Sequence, residues 1–267
     1  MKLKPIITIL LTALVPLSCC ACGSGESSAV QPTSQAVTTS PATTAPSSPD
    51  EPTTAPKTEP VATEPAKANS AAFTELINQS GIDGELGCSQ LVIVKSDDTS
   101  ASVSCFEQIG GAWQEVEGLT EIEGYVGSMG VSYDASEYAT YTPAGLFRLG
   151  TAFGINDDPG TAMEYFKVTE DSYWVDDPDS EFYNRHVEGT EDADWNSAEH
   201  LIDHSVSYRY AVFITYNSDP AVPGLGSAFF LHVGYEPTAG CVAIPEEKMV
   251  DVLKWLNPES NPKIMIF

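Results

Sequence analysis

The chain is poor in positive charge: 12 lysines and arginines stand against 38 aspartates and glutamates, a formal net charge of −26 over 267 residues. Nucleic acid needs a basic face, so no nucleic-acid partner is expected. An anionic membrane repels such a chain as well, and any attachment to one has to come from a lipid rather than a basic patch. Arginine is scarce, with only Arg148, Arg185 and Arg209. Long apolar runs are missing too; Ile6 to Leu17 is too short and too soon interrupted for a stable membrane span. No HExxH cluster and no repeat of domain size occurs. His200 and His204 in HLIDH have the four-residue spacing of metal ligands on a helix turn, but a site needs a third ligand and an activated water. No metal and no cofactor is expected, and a surface or groove-lining role for these histidines is preferred.

What is present begins with a targeting segment. Lys2 and Lys4 precede the apolar stretch, which ends in LSCCACGSG. Small residues and cysteines at that place resemble a bacterial lipobox, with Cys22 as lipid acceptor and Cys20 as the second choice, favoured by Leu17 three places before it. An ordinary cleaved signal peptide is the alternative. Residues 1–22 are therefore read as a lipoprotein signal, and 23–70, rich in Ser, Thr, Pro and Ala, as a solvated tether that cannot bury a core. Residues 71–267 suffice for one domain with a sizeable core. The expected location is the outer face of a cytoplasmic membrane, held there by the lipid. Beyond the signal only Cys88, Cys105 and Cys241 remain. Export favours oxidation, and Cys88 and Cys105, at opposite ends of a hairpin centred near Asp98, are a possible disulfide that a bulge or bent strand start has to bring into register.

Along the domain, Phe73 to Gln79 reads as a short amphipathic helix. Gln90 to Lys95 and Ala101 to Gln108 read as strands about the polar turn SDDTS, and AWQEVEG as a third. Gly118, Gly124, Gly127 and Gly130 mark short strands and tight turns. TPAGLFRLGTAFG, Thr142 to Gly154, alternates as a strand does. Asp157 to His204 is irregular, acidic and aromatic, a long loop of the kind that forms lids or groove walls. Tyr210 to Tyr216 is a strand. After Cys241 a helix begins with Pro245 in its first turn and Met249, Val250, Leu253 and Leu256 inward, and Lys263 to Phe267 is the last strand.

LHVGYEPTAGC, Leu231 to Cys241, carries the chemistry. A strand-like run delivers His232, and Cys241 follows nine places later behind Ala239 and Gly240. A thiol is intrinsically nucleophilic, and an imidazole can take its proton, which suggests acyl transfer. Small flanking residues let the backbone N–H groups of Ala239 and Gly240 turn toward a developing oxyanion.

TPAGLFRLGTAFG and FFLHVGYEPTAGCVAIPEEKMVDVLKWL together resemble the TPxGxF segment and the histidine strand, cysteine turn and helix of L,D-transpeptidase (YkuD-type) catalytic domains, from about Gly84 to the C-terminus. The resemblance implies a mostly β domain, a curved sheet or sandwich with a few short helices. It implies a peptidoglycan enzyme acting on stem peptides, inhibited by carbapenem-type β-lactams. Cys241 matches the nucleophile, His232 the general base and Gly240 the preceding glycine. Thr238 stands at the Ser/Thr of the usual Ser/Thr-His-Gly-Cys motif, while Ala239 replaces its histidine and Ala243 the polar residue two places after the cysteine. A backbone carbonyl near Val233 is expected to hold the other imidazole N–H. Stem peptides end in carboxylate, and of the three arginines Arg209, opening the strand before the His232 loop, is the expected grip, with Thr238 and Val233 also expected to contact the substrate. Transfer to water, and peptidoglycan binding without turnover, are the competing outcomes.

Overall fold

The structure is a computed structural model that describes residues 68–267. The lipobox cysteines and nearly all of the tether, up to residue 67, lie outside the described residues. The first element, α1 (Ala71–Ser80), starts where the Ser70 hydroxyl accepts the Phe73 N–H and stops at Gly81, whose φ of 64° is left-handed. Phe73 is its buried anchor, stacked on Trp113 and edge-on to Phe106. No helix among the described residues is long and apolar enough to cross a membrane.

The strands β1 (Gln90–Asp97) and β2 (Ser100–Ile109) form the expected hairpin, and β3 (Ala112–Glu115) follows against β2. Then come β4 (Ile122–Tyr125), the short β5 (Val131–Ser132) and β6 (Thr142–Pro143), and the long β7 (Gly145–Gly154). The expected loop of 157–204 departs from the reading, for it holds β8 (Tyr165–Lys167), β9 (Ser172–Val175), β10 (His186–Glu188) and β11 (Ala198–His200). The last three make a small antiparallel sheet of their own with β9 in the centre. Each is three or four residues long, too short for its alternation to stand out among acids and prolines. The chain ends with β12 (Ala211–Ile214), β13 (Phe230–Val233), β14 (Val242–Ile244), α2 (Glu246–Trp255) and β15 (Lys263–Ile266).

The main sheet runs β1, β15, β7, β12, β13, β14, β4, β2, and β1 pairs again with β2, so it closes on itself. Period-two alternation divides its side chains. Val92 and Val94 of β1, with Leu231, Val233, Val242 and Ile244, fill one core together with Met249, Val252 and Leu253 of α2 and Leu256 at its C-cap. Those helix positions are three and four apart, and Val252 takes the inward place expected of Val250. The opposite face is covered in two patches. Helix α1 closes over Leu91, Ile93 and Phe106, and the 157–204 segment closes over Phe153, Phe230 and Cys241 through Trp174 and Leu201.

The disulfide that the sequence left possible is not formed; the three cysteines of the described residues are free thiols. The hairpin turns through Asp98, whose φ is 58°, and its register sets Cys105 opposite Val92. Cys105 enters the main core while Cys88 packs on the α1 side, so the two thiols belong to different clusters. A fragment of residues 68–267, denatured without reductant, should titrate as three thiols; one thiol would show that the two oxidise together.

Candidate active site

Strands β13 and β14 are parallel neighbours, with Leu231 beside Val242 and His232 beside Ala243. On each strand alternate residues share a face. Phe230 and His232 lie on the face opposite Leu231 and Val233, and Cys241, two places before Ala243, joins them at the mouth of β14. Both His232 and Cys241 border one hollow of about 410 Å³. Parallel strands ordinarily need a crossover of about a dozen residues or more. Here residues 234–241 suffice, because the chain has to return only from Val233 to the level of Leu231, about 7 Å at the rise of a strand.

That turn is held by its own side chains. The Thr238 hydroxyl donates to the Cys241 carbonyl at 2.7 Å and accepts the Gly240 N–H at 3.0 Å. Thr142, from the TPAGLF segment, also donates to the Cys241 carbonyl at 3.3 Å and accepts the Gly127 N–H at 2.7 Å. The distant motif is thus a buttress of the cysteine turn. Gly240 has a φ of 151°, and a Cβ there would lie 2.7 Å from the Phe229 ring, so conformation and space both demand glycine. Three expectations change: the Gly240 N–H is occupied by Thr238 and is no oxyanion donor, the Thr238 hydroxyl serves the turn although the residue borders the hollow, and Val233 is wholly buried in the main core and lines neither hollow.

His232 is buried, and its Nδ1 lies 2.7 Å from the Val233 carbonyl, the partner foreseen from the sequence. A carbonyl only accepts, so Nδ1 carries the proton and Nε2 presents a lone pair. Burial holds the imidazole down at about 4; the bond to Val233 opposes this and His204 adds to it. Burial likewise pushes the Cys241 thiol far up, Glu199 pushes it further, and the Phe230 N–H opposes. The sulfur accepts that N–H at 3.3 Å, and the thiol donates to the Ala228 carbonyl at 3.3 Å. At rest the pair is a neutral thiol and a neutral imidazole, with no thiolate–imidazolium ion pair. Proton transfer has to accompany attack.

The other predicted residues divide. Arg209 does not reach the hollow; its guanidinium pairs with Glu246 at 2.7 Å and with the Ser205 carbonyl at 3.3 Å. His200 and His204 do not converge either. His200 bonds Asp203 and the Glu170 carbonyl, while His204 lines the hollow, as a groove-lining reading has it. Among the described residues no group of three His, Cys, Asp or Glu side chains is placed to hold a metal. Two residues escaped the sequence reading. Tyr208 meets His232 edge-on with ring centroids 5.8 Å apart, and its hydroxyl bonds Glu199. Glu199 sits on β11 and borders both the first hollow and a second one of about 330 Å³ on the other side of Cys241. Enclosure of its carboxyl, opposed by the Tyr208 bond and reinforced by Asp176 and Glu137, raises it to about 7. One acid among 38 carries no sequence signal; only the covering segment brings it here.

The raised Glu199 and the depressed His232 pull stability in opposite directions with pH. Glu199 binds its proton more tightly folded than unfolded, so its contribution is full below about 4.5 and is lost as pH climbs through about 7. His232 contributes fully above about 6.5, and that is lost as pH falls through about 4. Glu199→Gln removes only the first. Its stability relative to wild type should improve between about pH 5 and pH 8 by as much as ~3 kcal/mol, read from urea midpoints. A difference that does not change with pH would mean that the carboxyl is open to water.

The sequence profile of the YkuD family, L,D-transpeptidase catalytic domain, matches residues 116–265, more than half of the chain. No curated protein matches. Among solved structures, the helical cell shape determining protein Pgp2 from Campylobacter jejuni is similar at 15% identity and a TM-score of 0.34, covering 72% of this chain and 54% of its own. A lysine-to-alanine variant of the same protein gives 16% identity, a TM-score of 0.33 and coverage of 72% and 52%. The chain thus spans about half the length of the solved chains it resembles. On the match over residues 116–265, the chain belongs to the YkuD family of L,D-transpeptidase catalytic domains.

Proposed function

We propose that the protein is a peptidoglycan L,D-transpeptidase that forms an acyl-enzyme on Cys241 from a stem tetrapeptide and passes the acyl group to an acceptor amine. The observation that carries this reading is the shared hollow: Cys241 and His232 border it from adjacent parallel strands, with the imidazole locked by Val233 so that Nε2 is the free nitrogen. In the first half-reaction His232 Nε2 takes the thiol proton as sulfur attacks the carbonyl of the third stem residue. The tetrahedral adduct then collapses, the imidazolium gives its proton to the departing amine, and a thioester remains. An acceptor amine attacks the thioester, His232 accepts its proton, and the thiolate leaves and is reprotonated. Water in place of the amine makes the same site an L,D-carboxypeptidase. The N–H of Ala239, beside the turn, is the proposed oxyanion donor now that Gly240 is engaged.

The reading is tested on a purified tetrapeptide stem, with and without acceptor, by weighing the products. Cys241→Ser should abolish turnover, because one imidazole without an acidic partner is a poor base for a hydroxyl. His232→Ala should lose about 10² to 10⁴-fold. For acylation by an uncharged thioester, the acid limb should fall near pH 4, following the depressed imidazole, and a limb near 6.5 would contradict the neutral pair. Stem-peptide binding with no acylation of Cys241 by a carbapenem-type β-lactam would assign the fold to a non-catalytic binding module.

We also propose that residues 1–22 are a lipoprotein signal and 23–70 a tether, so that lipid on Cys22 or Cys20 holds the domain at the outer face of the cytoplasmic membrane. The support is the LSCCACGSG run and the Ser/Thr/Pro/Ala composition behind it. Replacing both cysteines with serine should move the protein from the membrane fraction to the soluble one; unchanged partitioning rejects the anchor.

A further inference from the structure

The two hollows that flank Cys241 contain carboxylates and no cation. Glu199 borders both, Glu236 the first, and Glu137 and Asp176 the second; among the described residues no lysine or arginine lines either. The acids arrive from separate segments: Glu199 from β11, Asp176 from the end of β9, and Glu137 from the stretch between β5 and β6. Their hydrogen bonds are unequal. Glu137 is fully engaged, its two oxygens meeting Tyr183 and Ser227. Glu199 accepts from Tyr208 on Oε2 alone. Asp176 Oδ1 is shut off from solvent with no hydrogen-bond partner at all. A buried acceptor left unpaired is costly, and it marks a place where a donor belongs. Arg209, the arginine that the sequence favoured for substrate binding, is turned away onto Glu246.

We propose that Glu199 is a specificity-determining residue that selects substrates bearing an ammonium group on the acyl side of the carbonyl under attack, and rejects those that bring a carboxylate on that side. Glu199, with Asp176 behind it, supplies the acceptors and the ammonium supplies the missing donors. The same contact helps the nucleophile. Glu199 raises the cost of ionising Cys241, and a cation set between them removes that penalty, so the thiol is easiest to ionise when the matching substrate is bound. Without such a cation the enclosed carboxyl holds its own proton up to about 7, under the influence of Asp176 and Glu137, while Tyr208 donates to it and Cys241, His204 and His232 face the same space. The inference rests on Cys241 as the reacting thiol, and it concerns the charge of what Cys241 accepts, whichever acceptor completes the reaction.

The test compares three small thiosulfonates that differ in charge: aminoethyl (cationic), methyl (neutral) and sulfonatoethyl (anionic) methanethiosulfonate. Modification of Cys241 is followed site by site by mass spectrometry on the whole protein. The cationic reagent should react at least about tenfold faster than the neutral one, and the anionic reagent slower still. In Glu199→Gln, which keeps the acceptor for Tyr208, the cationic preference should largely collapse. A preference that persists undiminished belongs to the general field of a chain with net charge −26 and overturns the proposal. Should the variant fail to fold, wild type decides by itself: the cationic-to-neutral ratio should rise between about pH 5 and pH 8 as Glu199 ionises, and a flat ratio overturns it. Equal rates for all three reagents overturn it whatever their size. Slow rates with the ranking intact support the charge selection while counting against Cys241 as a nucleophile, which separates this inference from the proposed function.

Discussion

The parallel register of β13 against β14, Leu231 beside Val242, is the constraint on which the site depends. It obliges residues 234–241 to double back over a very short distance. That return is possible only because Gly240 adopts a backbone conformation closed to other residues and because Thr238 and Thr142 both hold the Cys241 carbonyl. The consequence is a cysteine whose carbonyl is clamped from two sides while its sulfur faces the hollow. Slippage of β14 by one residue would turn Cys241 to the opposite face, among the α2 side chains, because strand neighbours alternate.

Burial then sets the chemistry. Enclosed groups lose hydration, so each is driven to its neutral form: the thiol up, the imidazole down, and the Glu199 carboxyl up. An ion pair at rest would demand two charges in a space that penalises each, with an acid nearby that opposes the thiolate. The arrangement suits a proton that moves during attack, and a ligand that brings the compensating charge with it. The 157–204 segment makes this environment, for it lays Trp174 and Leu201 over Phe153 and Phe230, and it carries Glu199 and Asp176 to the thiol. A sheet face that would otherwise be open to water becomes an enclosed acidic site.

The net charge of −26 has a local counterpart at this cleft, where acids lie within reach of the thiol and no lysine or arginine among the described residues lines it. Charge on the outer surface is screened over about 8 Å in physiological salt, whereas charge in an enclosed hollow is screened far less. The few acids lining the site therefore weigh more on what binds there than the many elsewhere.

By itself the sequence determined the strands with clean alternation, the place of α1, most of the inward stripe of α2, and a backbone carbonyl near Val233 as partner of the imidazole. Those features are local: periodicity, a cap or a turn expresses itself within a few residues. It also marked 157–204 as a wall of the groove, though the three-residue strands within it were too short to show a period. Only the tertiary structure decided the rest. The fate of Cys88 and Cys105 turned on a hairpin register and on which face of β1 and β2 each residue meets. Arg209 was lost to Glu246, a partner 37 residues away, and Glu199 was gained from a segment 42 residues before Cys241. Pairings between distant segments are set by how a closed sheet and its cover pack, and an acidic side chain looks the same in the sequence whether it ends in solvent or beside a thiol.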